Sequence, residues 1–289
     1  MSVDAALIVN PTSGYVRYPR DVETVEEIFA REGREVRVLP TQGPLHAREL
    51  ARAAVEEGIS RVISLGGDGT LNEVINGIAG ADVVLGIIPA GISNVFALEL
   101  GIPFEIAAAA RLILAGRTRR FDLGRVNGRL FCLMASIGLD AYACKVVKPG
   151  LKRCLKRYAF HLAGLQALLG FRPQPFTVET DDGSRWEGHA LVVSNASYYG
   201  GPHRITPAAR PDDGLLDFCI YLKGGRGDYL RYFSKVLRGT IQEDPGVAIG
   251  TCRGIRVDSP DLPLQIDGDY IGETPALIEV CPGMLEVFC

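Results

Sequence analysis

A glycine-rich segment that contains one carboxylate is the strongest chemical signal in the sequence. Residues 64–73 read SLGGDGTLNE, so an apolar run meets two glycines, Asp68 and a third glycine before a helical pattern begins. Glycines allow sharp turns and a close approach of the backbone to a ligand. The N–H groups of such a turn, together with the N-terminus of the following helix, attract anions. We therefore predict a phosphate-binding loop here.

A purely structural interpretation of this segment is a tight strand-to-helix turn in which Thr70 and Glu73 form a capping box. It accounts for Thr70 and Glu73, but it leaves the carboxylate of Asp68 inside a glycine loop unexplained. The glycine spacing matches neither the usual dinucleotide fingerprint nor the P-loop, and the P-loop lysine is missing. Phosphate charge must then be met by backbone dipoles, a metal ion or basic residues elsewhere.

Two further acidic segments occur late in the chain, Asp212-Asp213-Gly214 and Asp267-Gly268-Asp269. Asp-Gly is a favoured hairpin dipeptide. From the residues alone, a turn is the better interpretation of both segments.

The elements that would position the glycine loop alternate between strand and helix. Strand patterns occur at 5–9, 35–39, 62–65 and 83–88, and helical spacing at 21–32, 45–57, 71–79 and 94–100. This order predicts a parallel sheet with helices on both faces.

The pattern of predicted elements changes after about residue 120, where strand-like segments follow one another. They are 121–126, 130–136, 176–180, 190–195, 216–222, 254–257, 264–266 and 277–280, with helical inserts at about 151–170 and 227–238. This pattern predicts an antiparallel sandwich or barrel. We expect an α/β domain at 1–122 and a β-sandwich domain at 123–289, whose last few residues could return to the first domain.

Composition excludes several classes of function. The chain has 289 residues and a net charge of -3, so a general nucleic-acid binder is not expected. Four histidines without an HExxH pattern argue against a zinc enzyme. Seven scattered cysteines without CxxC spacing predict reduced thiols. The first residues lack a secretory pattern and no run of eighteen apolar residues occurs, so a cytoplasmic protein is expected.

A basic segment precedes an apolar one in the middle of the chain. No acidic residue occurs between Asp140 and Glu179, residues 145–157 are rich in Lys and Arg, and an apolar stretch at 158–169 follows. We hypothesise peripheral contact with an anionic membrane, at the inner membrane surface, through 145–157. The alternative is a solvated basic face beside a core helix.

The glycine loop and several later motifs together resemble a known family. GGDGTLNEVINGI at 66–78 resembles the nucleotide loop of the diacylglycerol kinase catalytic superfamily, in its bacterial lipid kinase branch related to sphingosine and ceramide kinases. Further resembling segments, in family order, are NPTSG at 10–14, PAGISNVFA at 89–97, SIGLDA at 136–141, DDGLLD at 212–217 and QIDGD at 265–269. GGDGT alone is shared with NAD kinases.

The resemblance implies a fold, an activity and a set of nucleotide contacts. The fold is an N-terminal doubly wound parallel sheet of the NAD-kinase and phosphofructokinase type, followed by an antiparallel β-sandwich with helical inserts that binds the lipid. The activity is ATP- and Mg²⁺-dependent phosphorylation of a lipid hydroxyl. The implied nucleotide contacts are Asn10, Pro11, Thr12, Ser13, Gly14, Thr41, Gly66, Gly67, Asp68, Gly69, Thr70, Asn72, Glu73, Ser93 and Asn94.

The resemblance also implies roles for the acidic residues. Asp269 or Asp267 is the expected proton acceptor, and Asp68 is expected to bind Mg²⁺. In sphingosine kinases the loop carboxylate is the proposed base, so the opposite assignment stays open. A second, structural Mg²⁺ is expected at Asp213, with the carbonyls of Arg210 and Leu215 as further ligands.

Two positions depart from the family pattern. Ile92 replaces the usual threonine, which leaves Ser93 as the nearest hydroxyl, and Asp269 replaces the usual glutamate. Two other functions therefore stay open: a soluble-nucleotide kinase related to NAD kinase, and a non-catalytic lipid- or nucleotide-binding regulator. The TLNEVING continuation and the basic segment favour the lipid kinase. The acceptor lipid is not specified, and a homodimer is left open.

Overall fold

The computed structural model describes residues 3–146 and 170–289. The chain forms two compact units. One contains Met1–Phe121 together with Gly283–Cys289, and the other contains Asp122–Pro282. Each unit buries its own set of apolar side chains.

The first unit is built on a parallel sheet. Its strands are β1 Ala5–Val9, β2 Val36–Pro40, β3 Arg61–Gly66 and β4 Val84–Pro89, joined by the end of β16 Ala276–Phe288. The order is β2-β1-β3-β4-β16, and the four neighbouring pairs in this order are parallel. The interiors of β1, β3 and β4 are buried, as expected for central strands of a parallel sheet that is covered on both faces.

Helices of the first unit follow the strands in alternation. They are α1 Arg20–Arg31, α2 His46–Glu56, α3 Asp68–Ile78, α4 Val95–Glu99 and α5 Ile106–Ala115. In α1, the buried side chains include Val22, Val25 and Phe29, which share one face because they lie three and four residues apart. Helix α1 packs against α5, and α2 packs against α3.

The second unit contains two antiparallel layers. The six-stranded sheet has the order β12-β11-β10-β7-β14-β15, with β7 Met134–Ile137, β10 Ala190–Ser194, β11 Leu216–Tyr221, β12 Val247–Cys252, β14 Pro263–Ile266 and β15 Asp269–Glu273. The other layer pairs the start of β16 with β13 Gly254–Val257, then β8 Phe176–Thr180 and β9 Arg185–Gly188, and β5 Thr118–Val126 pairs with β6 Arg129–Phe131.

Alternating side chains divide the core of the second unit between the two faces of the six-stranded sheet. Leu191 and Val193 belong to a buried cluster that includes residues of β8, β13 and β16. Ala190 and Val192 belong to another cluster, which they share with the helix α7 Arg226–Arg238. The sandwich is therefore covered by α7 on one outer face, because strand residues point alternately to opposite sides.

A buried polar network holds α6 Leu139–Val146 at the end of β7. Tyr199 donates a short hydrogen bond to Asp140, and the Oγ of Ser136 donates to the same carboxylate at 2.9 Å. Gln265 donates to Ser136 at 2.7 Å. Burial raises the pKa of Asp140, and the hydrogen bonds from Tyr199 and Ser136 partly offset this effect. The network joins β14, β7 and α6 through side chains.

The predicted fold class is confirmed, and several predicted elements need correction. Helix α3 begins at Asp68 rather than Leu71. The single strand predicted at 130–136 is divided between β6 and β7. Among the described α-helices and strands, five had no sequence prediction: α5, α6, β9, β12 and β15. The insert predicted at 227–238 is α7, whereas the insert at about 151–170 lies outside the described residues except for its last position.

The expectations about membrane spans and cysteines can be compared with the described residues. Across residues 3–146 and 170–289, no helix combines the length and the apolar character needed to cross a bilayer. The basic segment 145–157 lies outside the described residues except for its first two. Six cysteines in the described ranges are free thiols, and four of them are buried: Cys132, Cys219, Cys252 and Cys281.

Candidate functional site

Three loops of the first unit lie together at the carboxyl ends of its strands. They follow β1, β3 and β4 and comprise residues 10–15, 66–70 and 89–95. The N–H of Ala90 donates to the carbonyl of Gly66 at 2.8 Å, and the N–H of Tyr15 donates to the carbonyl of Ala90 at 2.8 Å. This edge is where open α/β sheets bind ligands.

Glycine is required where two of these loops touch. A Cβ atom placed on Gly91 would lie 2.4 Å from the Cα of Gly67 and 2.7 Å from the Oδ1 of Asn94. A Cβ on Gly67 would meet the Cα of Gly91 at 3.1 Å and the Oγ of Ser13 at 3.3 Å. The loops therefore approach backbone to backbone, which brings Ser13, Gly67 and Gly91 into one small area.

A glycine-to-alanine pair tests this contact. Gly91→Ala is expected to lower the free energy of unfolding by about 1–3 kcal/mol, because its Cβ has no room beside Gly67. Gly69→Ala is the matched control, since a Cβ there has no neighbouring atom within 4 Å and alanine favours a helix. Urea denaturation measures both variants. Equal losses of stability would contradict the proposed contact.

Asn10 and Thr70 connect the first loop to the glycine loop. The Nδ2 of Asn10 donates to the Oγ1 of Thr70 at 3.0 Å, and the Oδ1 of Asn10 accepts both the N–H and the hydroxyl of Thr12 at 3.0 Å. The predicted contacts Asn10, Thr12 and Thr70 thus form one hydrogen-bonded chain, in which Thr12 is exposed.

Asp68 and Asn94 organise the loop after β4. The Oδ1 of Asp68 accepts the N–H of Val95, the first residue of α4, at 2.7 Å. The amide of Asn94 is buried and bonds to Gly91 in both directions, accepting its N–H at 2.8 Å and donating to its carbonyl at 3.0 Å. Asn94 therefore shapes this loop, whereas the half-buried Asp68 lies at the start of α3.

The capping-box interpretation of Thr70 and Glu73 is wrong. Gly67, in an extended conformation, is the N-cap of α3, so Thr70 already lies inside the helix. The two carboxylate oxygens of Glu73 accept the N–H groups of Leu45 at 2.9 Å and Ala47 at 3.1 Å. Glu73 thus satisfies backbone donors at the beginning of α2, which are left without intrahelical acceptors.

The remaining predicted nucleotide contacts lie on or near the same edge. Thr41 follows β2, and its N–H donates to the carbonyl of Val9 at 2.8 Å. Asn72 lies in the second turn of α3, where its Oδ1 accepts from Asn76 at 3.1 Å. Ser93 is half-buried, and Ile92 beside it is 37% exposed.

A small pocket lies behind the glycine loop in the first unit. It lies between the ends of β3 and β4 and the helices α3 and α4. Its lining residues are Ser64, Gly66, Gly67, Asp68, Leu71, Ile87, Pro89, Asn94 and Ala97. Asp68 therefore borders both the loop surface and a concave space.

In the second unit, Asp267 and Gly268 form the predicted hairpin turn between β14 and β15. Both residues have positive φ angles, 47° and 86°, as a two-residue turn of this kind requires. The carboxylate of Asp267 accepts three backbone N–H groups, from Cys132 at 2.9 Å, Leu133 at 2.9 Å and Met134 at 3.0 Å. Asp267 thereby fastens the hairpin to the β6–β7 connection. Asp269, by contrast, begins β15 and is exposed.

The segment Asp212-Asp213-Gly214 is hydrogen-bonded to β5 through the buried carboxylate of Asp122. The Oδ2 of Asp122 accepts the N–H of Gly214 at 2.6 Å, and the Oδ1 of Asp213 accepts the N–H of Leu215 at 3.0 Å. Burial, and then the charge of Asp213, raises the pKa of Asp217 to about 6. An oxygen-rich and mutually repelling arrangement of this kind fits a hard cation.

Within residues 3–146 and 170–289, no group of three or more His, Cys, Asp or Glu side chains is arranged to hold a metal ion. The site predicted from Asp213 and two backbone carbonyls has only one carboxylate side chain. It is therefore not a group of three or more ligating side chains.

Family models match both parts of the chain. The diacylglycerol kinase catalytic domain matches residues 4–126, and the YegS C-terminal NAD kinase beta sandwich-like domain matches residues 134–289. The chain belongs to the diacylglycerol kinase family. This assignment confirms the resemblance that begins at the glycine loop, and it places the chain in a family of lipid kinases.

Two relatives named diacylglycerol kinase align with almost the whole length of the chain. A diacylglycerol kinase of Bacillus subtilis (strain 168) is 32% identical over 277 residues, covering 94% of this chain and 91% of the relative. A diacylglycerol kinase of Staphylococcus aureus (strain MRSA252) is 30% identical over 277 residues, covering 94% and 88%.

Solved structures agree with the fold. A crystal structure from Bacillus anthracis str. Sterne, provisionally named a diacylglycerol kinase, superposes with a TM-score of 0.82 at 25% identity, covering 99% of this chain and 96% of that chain. A second structure from the same strain has a TM-score of 0.76 at 23% identity and supports the fold alone.

Sequence reasoning did not identify Asp122 in this diacylglycerol kinase family member. Its side chain is 3% exposed, its N–H donates to Pro211 at 2.6 Å, and its carbonyl accepts from the amide of Asn195 at 2.9 Å. The signal was present as a lone carboxylate inside the apolar run 121–126. Such a residue is rarely buried unless it is paired.

Proposed function

We propose that the protein transfers the γ-phosphoryl group of ATP to a hydroxyl of diacylglycerol or a related lipid. The observation that carries this proposal is the convergence of three loops around Asp68, at the carboxyl edge of the parallel sheet. Membership of a lipid kinase family supports the lipid acceptor. The structure of the first unit supports the nucleotide donor.

Backbone groups of the glycine loop are suited to phosphate oxygens. The first N–H groups of a helix have no intrahelical acceptors, and the first turn of α3 consists of Asp68, Gly69 and Thr70. Open space surrounds Gly69, where an added Cβ would meet nothing within 4 Å. Phosphate oxygens can therefore approach this backbone closely, and the helix dipole favours their charge.

The acidic side chains fit Mg²⁺ at two positions. We assign Asp68 to the Mg²⁺ that accompanies ATP, because its half-buried carboxylate lies at the start of the phosphate-binding helix. We assign Asp213, with the carbonyls of Arg210 and Leu215, to a structural Mg²⁺. Bound Mg²⁺ would neutralise phosphate charge at the first position. At the second position, the Oδ1 of Asp213 accepts the N–H of Leu215 at 3.0 Å, which holds the carboxylate close to the Leu215 backbone.

For the proton acceptor we favour Asp269 over Asp267. The carboxylate of Asp267 is occupied by three N–H donors, which makes it a positioning residue for the hairpin. Asp269 is exposed two residues further along the same turn. A general base must reach a substrate hydroxyl, and an exposed carboxylate on a fastened hairpin meets that requirement.

An assay with γ-labelled ATP and a panel of acceptors tests the proposed function. We expect Mg²⁺-dependent transfer of label into organic-soluble product with diacylglycerol, a sphingoid base, ceramide, phosphatidylglycerol or a polyprenol, separated by thin-layer chromatography. NAD is the matched soluble acceptor and should remain unlabelled. Label on NAD would replace the proposal with a soluble-nucleotide kinase. Binding of ATP without any labelled product would indicate a regulator.

A further inference from the structure

Helix α7 presents apolar side chains on both of its faces. Tyr229 and Tyr232 point inward, where they are 7% and 2% exposed. On the outer face, Leu230, Phe233 and Leu237 are 54%, 52% and 48% exposed. These three residues lie at helical spacing and form one continuous stripe. Large exposed apolar side chains gathered on one face of a helix mark an interaction surface.

The charges around this stripe are mostly positive. Between residues 223 and 238 five basic side chains accompany a single carboxylate, that of Asp228. Arg231 pairs with Asp228 at 3.0 Å and with the buried Asp244 at 3.0 Å, and Lys235 pairs with the same Asp244 at 3.6 Å, so these two positive charges are offset. Lys223 and Arg238 are exposed near the two ends of the helix. An apolar stripe with basic flanks is complementary to the surface of an anionic bilayer.

The inner face of α7 is anchored independently of the stripe. The hydroxyl of Tyr232 donates to the carbonyl of Gly246 at 2.9 Å, and its ring packs edge-on against Tyr221 at 4.8 Å. The helix ends at Gly239, which has a φ of 70°. Changing the outer side chains to polar residues therefore leaves these contacts of Tyr232 in place.

We propose that the outer face of α7, formed by Leu230, Phe233 and Leu237 with their basic flanks, docks on an anionic lipid bilayer. The three side chains enter the boundary between headgroups and acyl chains, while Lys223 and Arg238 contact anionic headgroups. The residues of this surface are not those of the basic segment 145–157. The inference rests on the proposed function, since a diacylglycerol acceptor resides in a bilayer, but docking is measured without any catalytic readout.

Vesicle binding tests the stripe directly. Full-length protein is co-sedimented with vesicles of 70% dioleoylphosphatidylcholine and 30% dioleoylphosphatidylglycerol. The triple variant Leu230→Gln, Phe233→Gln, Leu237→Gln is expected to bind on the order of 100-fold more weakly, at roughly fivefold for each half-exposed side chain. Lys223→Gln with Arg238→Gln should weaken binding by roughly fivefold for each charge and reduce its dependence on salt.

A control variant replaces three other partly exposed apolar side chains, which are somewhat less exposed than those of the stripe. Phe104→Gln, Ile249→Thr and Leu277→Thr change side chains that are 50%, 38% and 40% exposed, and binding should stay within about twofold of the parent protein. Circular dichroism verifies folding of both triple variants. Equal binding by the α7 variant and the parent would overturn the proposal. So would a loss of self-association in that variant with unchanged vesicle binding, which would make the stripe a contact between copies.

A second readout separates docking from catalysis. With water-dispersed dioctanoylglycerol as acceptor, the α7 variant should phosphorylate at the rate of the parent protein, whereas its rate on vesicle-borne diacylglycerol should fall with its binding. If the parent protein phosphorylates neither substrate, the proposed function fails while the binding measurement still decides the docking proposal. Equal loss of rate on both substrates would overturn the docking role.

Discussion

Replacing Asp68 with asparagine is expected to lower kcat for lipid phosphorylation by about 100- to 1000-fold while leaving the protein folded. Asparagine keeps an oxygen that can accept the N–H of Val95, now bonded to Asp68 at 2.7 Å, so the start of α4 is preserved. It lacks the negative charge that we assign to Mg²⁺ binding. Steady-state kinetics across Mg²⁺ concentrations measure the loss.

Two further variants show whether that loss comes from charge or from structure. Asp82→Asn removes an exposed carboxylate of the same unit and should leave kcat unchanged. Asp68→Ala removes both the charge and the acceptor for Val95, so it should also reduce the free energy of unfolding by about 1 kcal/mol. Activity of Asp68→Asn within threefold of the parent protein would rule out the assigned role.

The second prediction distinguishes the roles of the two carboxylates in the β14–β15 hairpin, Asp267 and Asp269. Asp267→Ala is expected to lower the free energy of unfolding by about 3–5 kcal/mol, because three backbone N–H groups in a buried segment lose a charged acceptor. Asp269→Asn is expected to change stability by less than about 0.5 kcal/mol. It should nevertheless lower kcat by about 100-fold or more, as expected for loss of a general base.

Denaturant titration and steady-state kinetics on the same preparations distinguish these roles. Asp267→Asn is the informative intermediate, since its amide retains one oxygen for the N–H donors of Cys132, Leu133 and Met134. A folded Asp267→Asn protein without activity, together with an active Asp269→Asn protein, would transfer the base to Asp267. Full stability of Asp267→Ala would show that the three hydrogen bonds do not fasten the hairpin.

The strands that had no sequence prediction share one physical property. β12 and β15 are the two edges of the six-stranded sheet, and β9 is the edge of the other layer. An edge strand carries fewer buried side chains, and β15 shows this as DYIGE with no buried residue. Central strands such as β10 and β11 are buried throughout and were predicted. The hydrophobic periodicity of a strand therefore reflects its burial, and the pattern is weak in these edge strands, where fewer side chains are buried.

The start of α3 illustrates a different kind of error. Gly67, Asp68 and Gly69 read as a loop because glycine disfavours a helix. The structure begins the helix at Asp68, and Thr70 then packs so closely against Gly66 that a Cβ there would lie 2.9 Å from the threonine Cβ. The Oδ1 of Asp68 also accepts the N–H of Val95 at 2.7 Å, and this contact across 27 residues helps to offset the local preference of Gly69.

The sequence by itself determined the fold class, the family and the position of the glycine loop, because burial periodicity and glycine order are local properties of the chain. Only the tertiary structure decided which side chains are engaged. Glu73 reaches α2 across 28 residues, and Asp267 reaches the β6–β7 connection across 135 residues. No local pattern encodes such partners, since the topology of the sheets brings them together. Asp68, Asp213 and Asp269 are the carboxylates to which we assign chemistry.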